Sequence, residues 1–252
     1  MKKLMSMCSI IAVFVFMAGL AVAAPFDPPD AAQIGSADAL QGVFNDITVY
    51  GDSSVTAATD MLIDARDSYW SITATGGSVS TLIVELAGFA AGNLFGVYDA
   101  TTNTSVQLFD GAATAGAQAL LSIHADGSVF VNFQDTGVDF TGNNFGYYLD
   151  SSVYTNGGLF YSDSSLNAGG LDHMFAYQGT GDYVQLPGYQ PGDWTDAEYI
   201  LAFEDLAVNP DWDFTDMVVM VESVNPVPIP GAALLLATGL LGLVGIRRRV
   251  QS

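Results

Sequence analysis

Positive charge is almost missing from the body of this 252-residue sequence. Lys2 and Lys3 open the chain, Arg247, Arg248 and Arg249 nearly close it, and Arg66 stands alone between them. All 27 acidic residues fall in that interval, so the middle carries one cation against 27 anions, a net of −26. A surface that negative repels phosphate backbones and excludes ordinary nucleic-acid binding. It equally disfavours adhesion to anionic lipid by charge alone. Cysteine is represented only by Cys8, and histidine only by His124 and His173, so a zinc site would need unusual carboxylate help. Apolar residues are plentiful instead, at 50% with 12% aromatics, which excludes a disordered acidic tail. The length suits one globular domain with a sizeable core, or at most two small ones.

The ends read as addresses. Residues 1–23 have the three parts of a signal peptide: Lys2 and Lys3, the apolar run Ile10 to Leu20, and the A-x-A site Ala21-Val22-Ala23. Cleavage is expected before Ala24. The apolar run is shorter than the roughly 20 residues of a bilayer span, which argues against a permanent anchor. Cys8 leaves with this peptide, so no disulfide or thiol chemistry is expected of the mature chain. Residues 225–252 form the second address. Asn225 to Pro230 reads as an extended linker containing Val227, Pro228 and Pro230, followed by Gly231 and an apolar stretch from Ala233 to Ile246. Arg247, Arg248 and Arg249 would hold the extreme C-terminus in the cytoplasm, with the acidic body across the membrane.

This tail resembles the PEP-CTERM sorting signal of Gram-negative bacteria, in its V-P-x-P-G variant. The resemblance implies processing by exosortase near Val227 to Pro230, after signal peptidase has acted at the other end. It also implies transient anchoring through one C-terminal hydrophobic helix, then delivery to the cell surface or the extracellular polysaccharide matrix. A plain C-terminal anchor is the alternative.

The body, 24–224, reads as all-β. Short segments rich in Val, Phe and Tyr alternate with Gly, Asn, Asp and Ser: Ser80 to Leu86, Leu94 to Tyr98, Ser105 to Phe109, Ser128 to Phe133, Phe145 to Leu149 and Met217 to Val221. Their spacing predicts a single antiparallel β-sandwich, jelly-roll-like. Only Ala58 to Trp70 and Ala112 to Ala119 hint at helix. Phe95-Gly96-Val97-Tyr98 and Phe145-Gly146-Tyr147-Tyr148 share a pattern that two glycine-bulged strands with core aromatics would explain.

Chemistry concentrates in one expected hairpin. The strand Tyr199 to Phe203 ends in Glu204 and Asp205, and Asp211, Asp213 and Asp216 precede the strand from Met217. Two carboxylates 4 Å apart repel by about 4 kcal/mol at an effective dielectric near 20. Ca²⁺, which takes six to eight oxygen ligands, would offset that cost; splaying into water is the alternative. An EF-hand is rejected. Asp216 stands where its glycine belongs, and an extended strand puts Asp216 about 20 Å from Glu222.

The same residues carry a second resemblance. F-E-D at Phe203 to Asp205, followed by D-x-D-F-x-D at Asp211 to Asp216, resembles the uncharacterised bacterial surface-domain family DUF4114. Ala202 stands where that family prefers glycine and Thr215 where it prefers asparagine, which puts one ligand or turn cap in doubt. Weaker similarity runs through Asn93 to Gly96, Leu108 to Gly111 and Asp172 to Tyr177, so the family-like part is 80–224. No activity comes with the resemblance.

Enzyme readings find less support. Gly51-Asp52-Ser53 matches the first block of GDS-type esterases, but neither histidine has their D-x-x-H context. His173 beside Asp172 suggests a structural pair. No two carboxylates stand out as a glycosidase pair. The expectation is a non-enzymatic, exported surface or matrix protein, calcium-stabilised and possessing no catalytic residue. A carbohydrate-binding module using Trp70, Trp194 or Trp212 against extracellular polysaccharide is the second reading, and a hydrolase the third.

Overall fold

Strands built from near-continuous apolar runs must be covered on both faces, and this requirement organises the molecule. The computed structural model describes residues 37–75, 77–84 and 90–228. The expected signal peptide, with Ala21, Ala23 and Ala24, lies outside the described residues. So do Pro230, Gly231, the apolar stretch and Arg247, Arg248 and Arg249.

The first elements are helix α1 (Ala37–Ile47), the helical turn α2 (Asp64–Asp67), and strands β1 (Trp70–Ile72), β2 (Ser78–Val84) and β3 (Leu94–Asp99). There follow β4 (Ser105–Phe109), β5 (Gln118–Ile123), β6 (Ser128–Val131), β7 (Gln134–Asp139) and β8 (Asn144–Asp150). The chain continues through β9 (Leu159–Tyr161), β10 (Met174–Gln178), β11 (Asp182–Val184) and β12 (Gly192–Trp194). It closes with β13 (Glu198–Phe203), β14 (Met217–Glu222) and β15 (Val224–Pro226).

Two antiparallel sheets face each other. One runs β15-β1-β8-β3-β4, with β9 added beside β8; the other runs β10-β13-β14-β2-β5-β6-β7. Trp70, Phe95, Val97, Phe145 and Tyr147 of the first pack against Leu201, Phe203, Val219 and Val221 of the second in one buried core. The expected all-β antiparallel sandwich is therefore the architecture.

A second core lies on the outer face of the seven-stranded sheet. Ile200 and Ala202 of β13, with Val218 and Met220 of β14, point there, against Leu40 and Phe44 of α1 and Trp194 of β12. Successive residues of these two strands therefore feed opposite cores. Helix α1 was not expected. Its Leu40, Phe44 and Ile47 repeat at four and three residues and all lie buried. Conversely, Ala58 to Trp70 yields only the four-residue turn α2, and Ala112 to Ala119 passes from a loop into β5.

The two F-G-x-Y segments are neighbours, and their glycines explain one another. Gly96 pairs with Tyr148 across β3 and β8, and Tyr98 pairs with Gly146. A Cβ on Gly96 would come within 2.7 Å of the Tyr148 ring, and one on Gly146 would strike the ring of Tyr98. Each tyrosine thus lies over the glycine of the other strand, and these aromatics are core as expected, with a bulge between Phe95 and Gly96 against β4.

The linker expected over Asn225 to Pro230 begins later than the sequence suggests. Asn225 and Pro226 belong to β15, paired with β1, and the Val227 N–H donates to the Tyr69 carbonyl at 2.7 Å. Hydrogen-bonded sheet thus reaches to the edge of the proline motif. Among the described residues, no helix is long and apolar enough to cross a membrane.

Candidate metal centre in the β13–β14 connection

Strands β13 and β14 pair from Glu198 opposite Glu222 to Phe203 opposite Met217, so the expected hairpin forms. Its mouth is the connection from Glu204 to Asp216, which contains all five carboxylates singled out in the sequence. Glu222 lies at the opposite end of β14, as the rejection of an EF-hand requires. Glu204 and Asp205 are buried, at 0% and 2% exposure, Asp213 and Asp216 are half-buried, and Asp211 is exposed.

The five carboxylates converge as two triplets that share one member. Glu204, Asp205 and Asp216 form the inner triplet, and Asp211, Asp213 and Asp216 the outer one. In each, one oxygen per carboxylate lies within 4.8 Å of the others. Oxygens sharing one Ca²⁺ at about 2.4 Å can be at most about 4.8 Å apart, so both triplets meet the ion's span. Arg66 is the only lysine or arginine among the described residues, and it belongs to α2.

Hydrogen bonds hold the connection in this shape. Glu204 accepts the Leu206 N–H on Oε1 at 3.1 Å and the Trp212 N–H on Oε2 at 2.8 Å. Asp216 accepts the Asp205 N–H at 3.0 Å, which ties the two ends of the connection together. The Thr215 N–H and hydroxyl both donate to Asp213 Oδ1 at 2.9 Å, so threonine keeps the turn-capping role that its departure from the family pattern put in doubt. Asn209, Trp212 and Phe214 take positive φ of 55–57°, a conformation that bulky side chains resist.

Three residues of the centre were not anticipated from the sequence. Asn93, fully buried just before β3, donates Nδ2–H to Asp205 Oδ2 at 3.0 Å, while its Oδ1 has no hydrogen-bond partner. Ser151 donates to the Asp205 carbonyl at 2.6 Å. His173 accepts the Glu204 N–H on its own carbonyl, and its Nδ1 lies 3.2 Å from the Glu204 carbonyl oxygen. Asn93 and His173 both fall in segments that resemble the family, which was the only signal for them.

Crowding of like charges in a dry site shows in the acidities. Burial, then Asp216, pushes the Glu204 carboxyl up to about 9. Burial, then Asp205, pushes Asp216 up to about 7. Asp205 is raised by burial as well, against the opposing hydrogen bond from Asn93. Burial pushes His173 down to about 4, so its ring is neutral at pH 7 and stacks on Phe160 with centroids 4.0 Å apart. Its Nδ1 faces the Glu204 carbonyl, and its ring also meets that of Trp212 with centroids 5.2 Å apart; the neighbouring Asp172 accepts the Met174 N–H on Oδ1.

The sequence also offered surfaces that the fold closes. Of the three tryptophans expected as a stacking platform, Trp70 and Trp194 are fully buried and cannot offer a face to a ligand, while Trp212 is half-buried. Trp70 and Trp194 fill the two cores. Ser53, of the Gly51-Asp52-Ser53 block, donates its hydroxyl to Asp182 Oδ2 at 2.7 Å.

Compared with known proteins, residues 89–224 match the family described as domain of unknown function (DUF4114). No curated protein and no solved structure matches the chain.

Proposed function

The chain belongs to the DUF4114 family, and on that premise we propose that it is an exported, non-enzymatic cell-surface or extracellular-matrix protein locked by a calcium ion. The observation that carries the calcium reading is Asp216, shared by two carboxylate triplets in a body with one described cation. Glu204, Asp205 and Asp216 would hold an ion on the inner side, or Asp211, Asp213 and Asp216 on the outer side, with Asp216 a ligand in either arrangement. The buried, unpartnered Oδ1 of Asn93 supports the inner set, because an amide oxygen is a ligand of the kind Ca²⁺ takes. A hard divalent cation would offset the burial, and after it the repulsion, that lead Glu204 and Asp216 to keep their protons.

The remaining parts rest on different residues. Lys2, Lys3 and Ala21-Val22-Ala23 support export, and the tail from Val227 to Arg249 supports sorting by exosortase in a Gram-negative bacterium. A non-enzymatic role is favoured by how the chemical groups are used: His173 is buried and neutral, and the carboxylates of the turn accept backbone N–H groups. In the matrix, the protein would contribute through ion bridging or contacts with polysaccharide.

Thermal melts in Ca²⁺ and in chelator test the metal. At a hundred times the dissociation constant, binding adds about 2.7 kcal/mol, or roughly 5–11 °C for a domain of this size. Superimposable melts would reject calcium. Intact-mass measurement of the protein from its native host tests sorting, which requires loss of residues at both ends.

A further inference from the structure

The turn between β6 and β7 combines two costs that ordinary packing does not explain. It has two residues, Asn132 and Phe133, with φ of 51° and 64°. Two positive φ values define the type I′ hairpin turn, whose second position favours glycine. Here that position holds phenylalanine, and its ring is 80% exposed. Phe133 therefore gains little from burial while occupying a backbone conformation that a bulky residue resists. Strain of this kind persists where function retains it. The turn is also clamped: the Asn132 N–H donates to the Leu120 carbonyl at 2.8 Å, and its Oδ1 accepts the Leu120 N–H at 2.9 Å.

The exposed ring flanks a cavity of about 220 Å³. Ile72, Thr75, Ser122, Ile123 and His124 supply the rest of the wall used here. His124 is exposed and held by near-parallel stacking on Phe130, with centroids 4.4 Å apart. A second cavity of about 470 Å³ shares Ile123 and His124 and extends the cleft to Thr141 and Asn143. No carboxylate lines the first cavity, and the acid in the wall of the second is Asp126, although the body around them is acid-rich.

We propose that this cleft binds a neutral glycan, with the C–H face of one pyranose ring lying on Phe133 and its hydroxyls meeting His124 and Thr75. An open aromatic face is the negative side of a quadrupole and attracts weakly positive C–H groups. Imidazole and hydroxyls supply the donors and acceptors that sugar hydroxyls need. A glycan bearing carboxylates or sulfates would be repelled by the field of the acidic body. The site is built on the end of β5 and the β6–β7 turn, with β2 lying between β5 and β14, and it stands independently of the calcium reading.

Calorimetric titration of the full-length chain in calcium-containing buffer tests it, using neutral glucan, xylan and galactan oligosaccharides beside uronic-acid oligosaccharides of equal length. A neutral series should bind at millimolar concentration or below, and the uronic acids at least tenfold more weakly. Phe133→Ala should weaken binding tenfold or more, His124→Ala several-fold, and Phe133→Trp should retain it. Phe133→Gly separates the roles of the ring: it should lose binding and melt higher than wild type, because glycine accepts this φ. Binding that survives in Asp216→Asn keeps the proposal even if the calcium reading fails. Absence of neutral-glycan binding, equal binding of uronic acids, an unaffected Phe133→Ala, or a lower melt in Phe133→Gly would each overturn it.

Discussion

Replacing Asp216 by asparagine removes the one charge that both carboxylate triplets share, while an amide oxygen can still accept the Asp205 N–H. The folded protein keeps the Asp216 proton to about pH 7, whereas an unperturbed aspartate releases it near 3.8. A carboxyl raised in this way contributes full stability below the lower value and loses it as pH rises through the higher one. Above pH 7 the full difference amounts to about 4 kcal/mol. Asp216 is only half-buried, and water screening brings the expected penalty nearer to 2 kcal/mol. Without metal, Asp216→Asn should therefore melt about 4–8 °C above wild type near pH 8. In saturating Ca²⁺ the order should reverse, because the variant has lost the ligand common to both triplets. Scanning fluorimetry of the two proteins in chelator and in Ca²⁺ reads all four values. The reasoning fails if the variant melts below wild type in chelator, or if its calcium shift equals that of wild type.

Three further outcomes follow from the same coordinates. Metal-free protein should lose stability steadily from about pH 4 to 9, as Asp216 and then Glu204 lose the protons that folding retains; denaturant titrations across that range should show Ca²⁺ flattening or reversing the slope. Asn93→Ala strips the buried Asp205 of its side-chain donor and should cost about 1–3 kcal/mol without metal, measured by urea unfolding. Gly146→Ala should destabilise by about 1–3 kcal/mol, because the new methyl meets the buried Tyr98 ring; an unchanged unfolding midpoint would contradict the reciprocal glycine–tyrosine packing.

Local pattern alone was enough for the β-rich character, the antiparallel hairpin and the five acidic residues of its mouth. Apolar runs such as Tyr199 to Phe203 have no stable exposed alternative, and the acids between two such runs are forced to one end of the hairpin. The core role of Phe95, Tyr98, Phe145 and Tyr148 was legible for the same reason. Pairing across distance was not. The glycine–tyrosine exchange depends on β3 and β8 becoming neighbours, and the burial of Trp70 and Trp194 depends on which faces the sheets and α1 cover. Asn93 and His173 reach the acidic turn from separate segments, so no spacing within either segment points to Glu204 or Asp205. Likewise, Asn132-Phe133 reads as the end of an apolar segment until the register of β6 and β7 forces both residues into positive φ. Sequence determined what each segment prefers; only tertiary structure decided which preferences meet, because burial, register and mutual repulsion are properties of chain segments brought together.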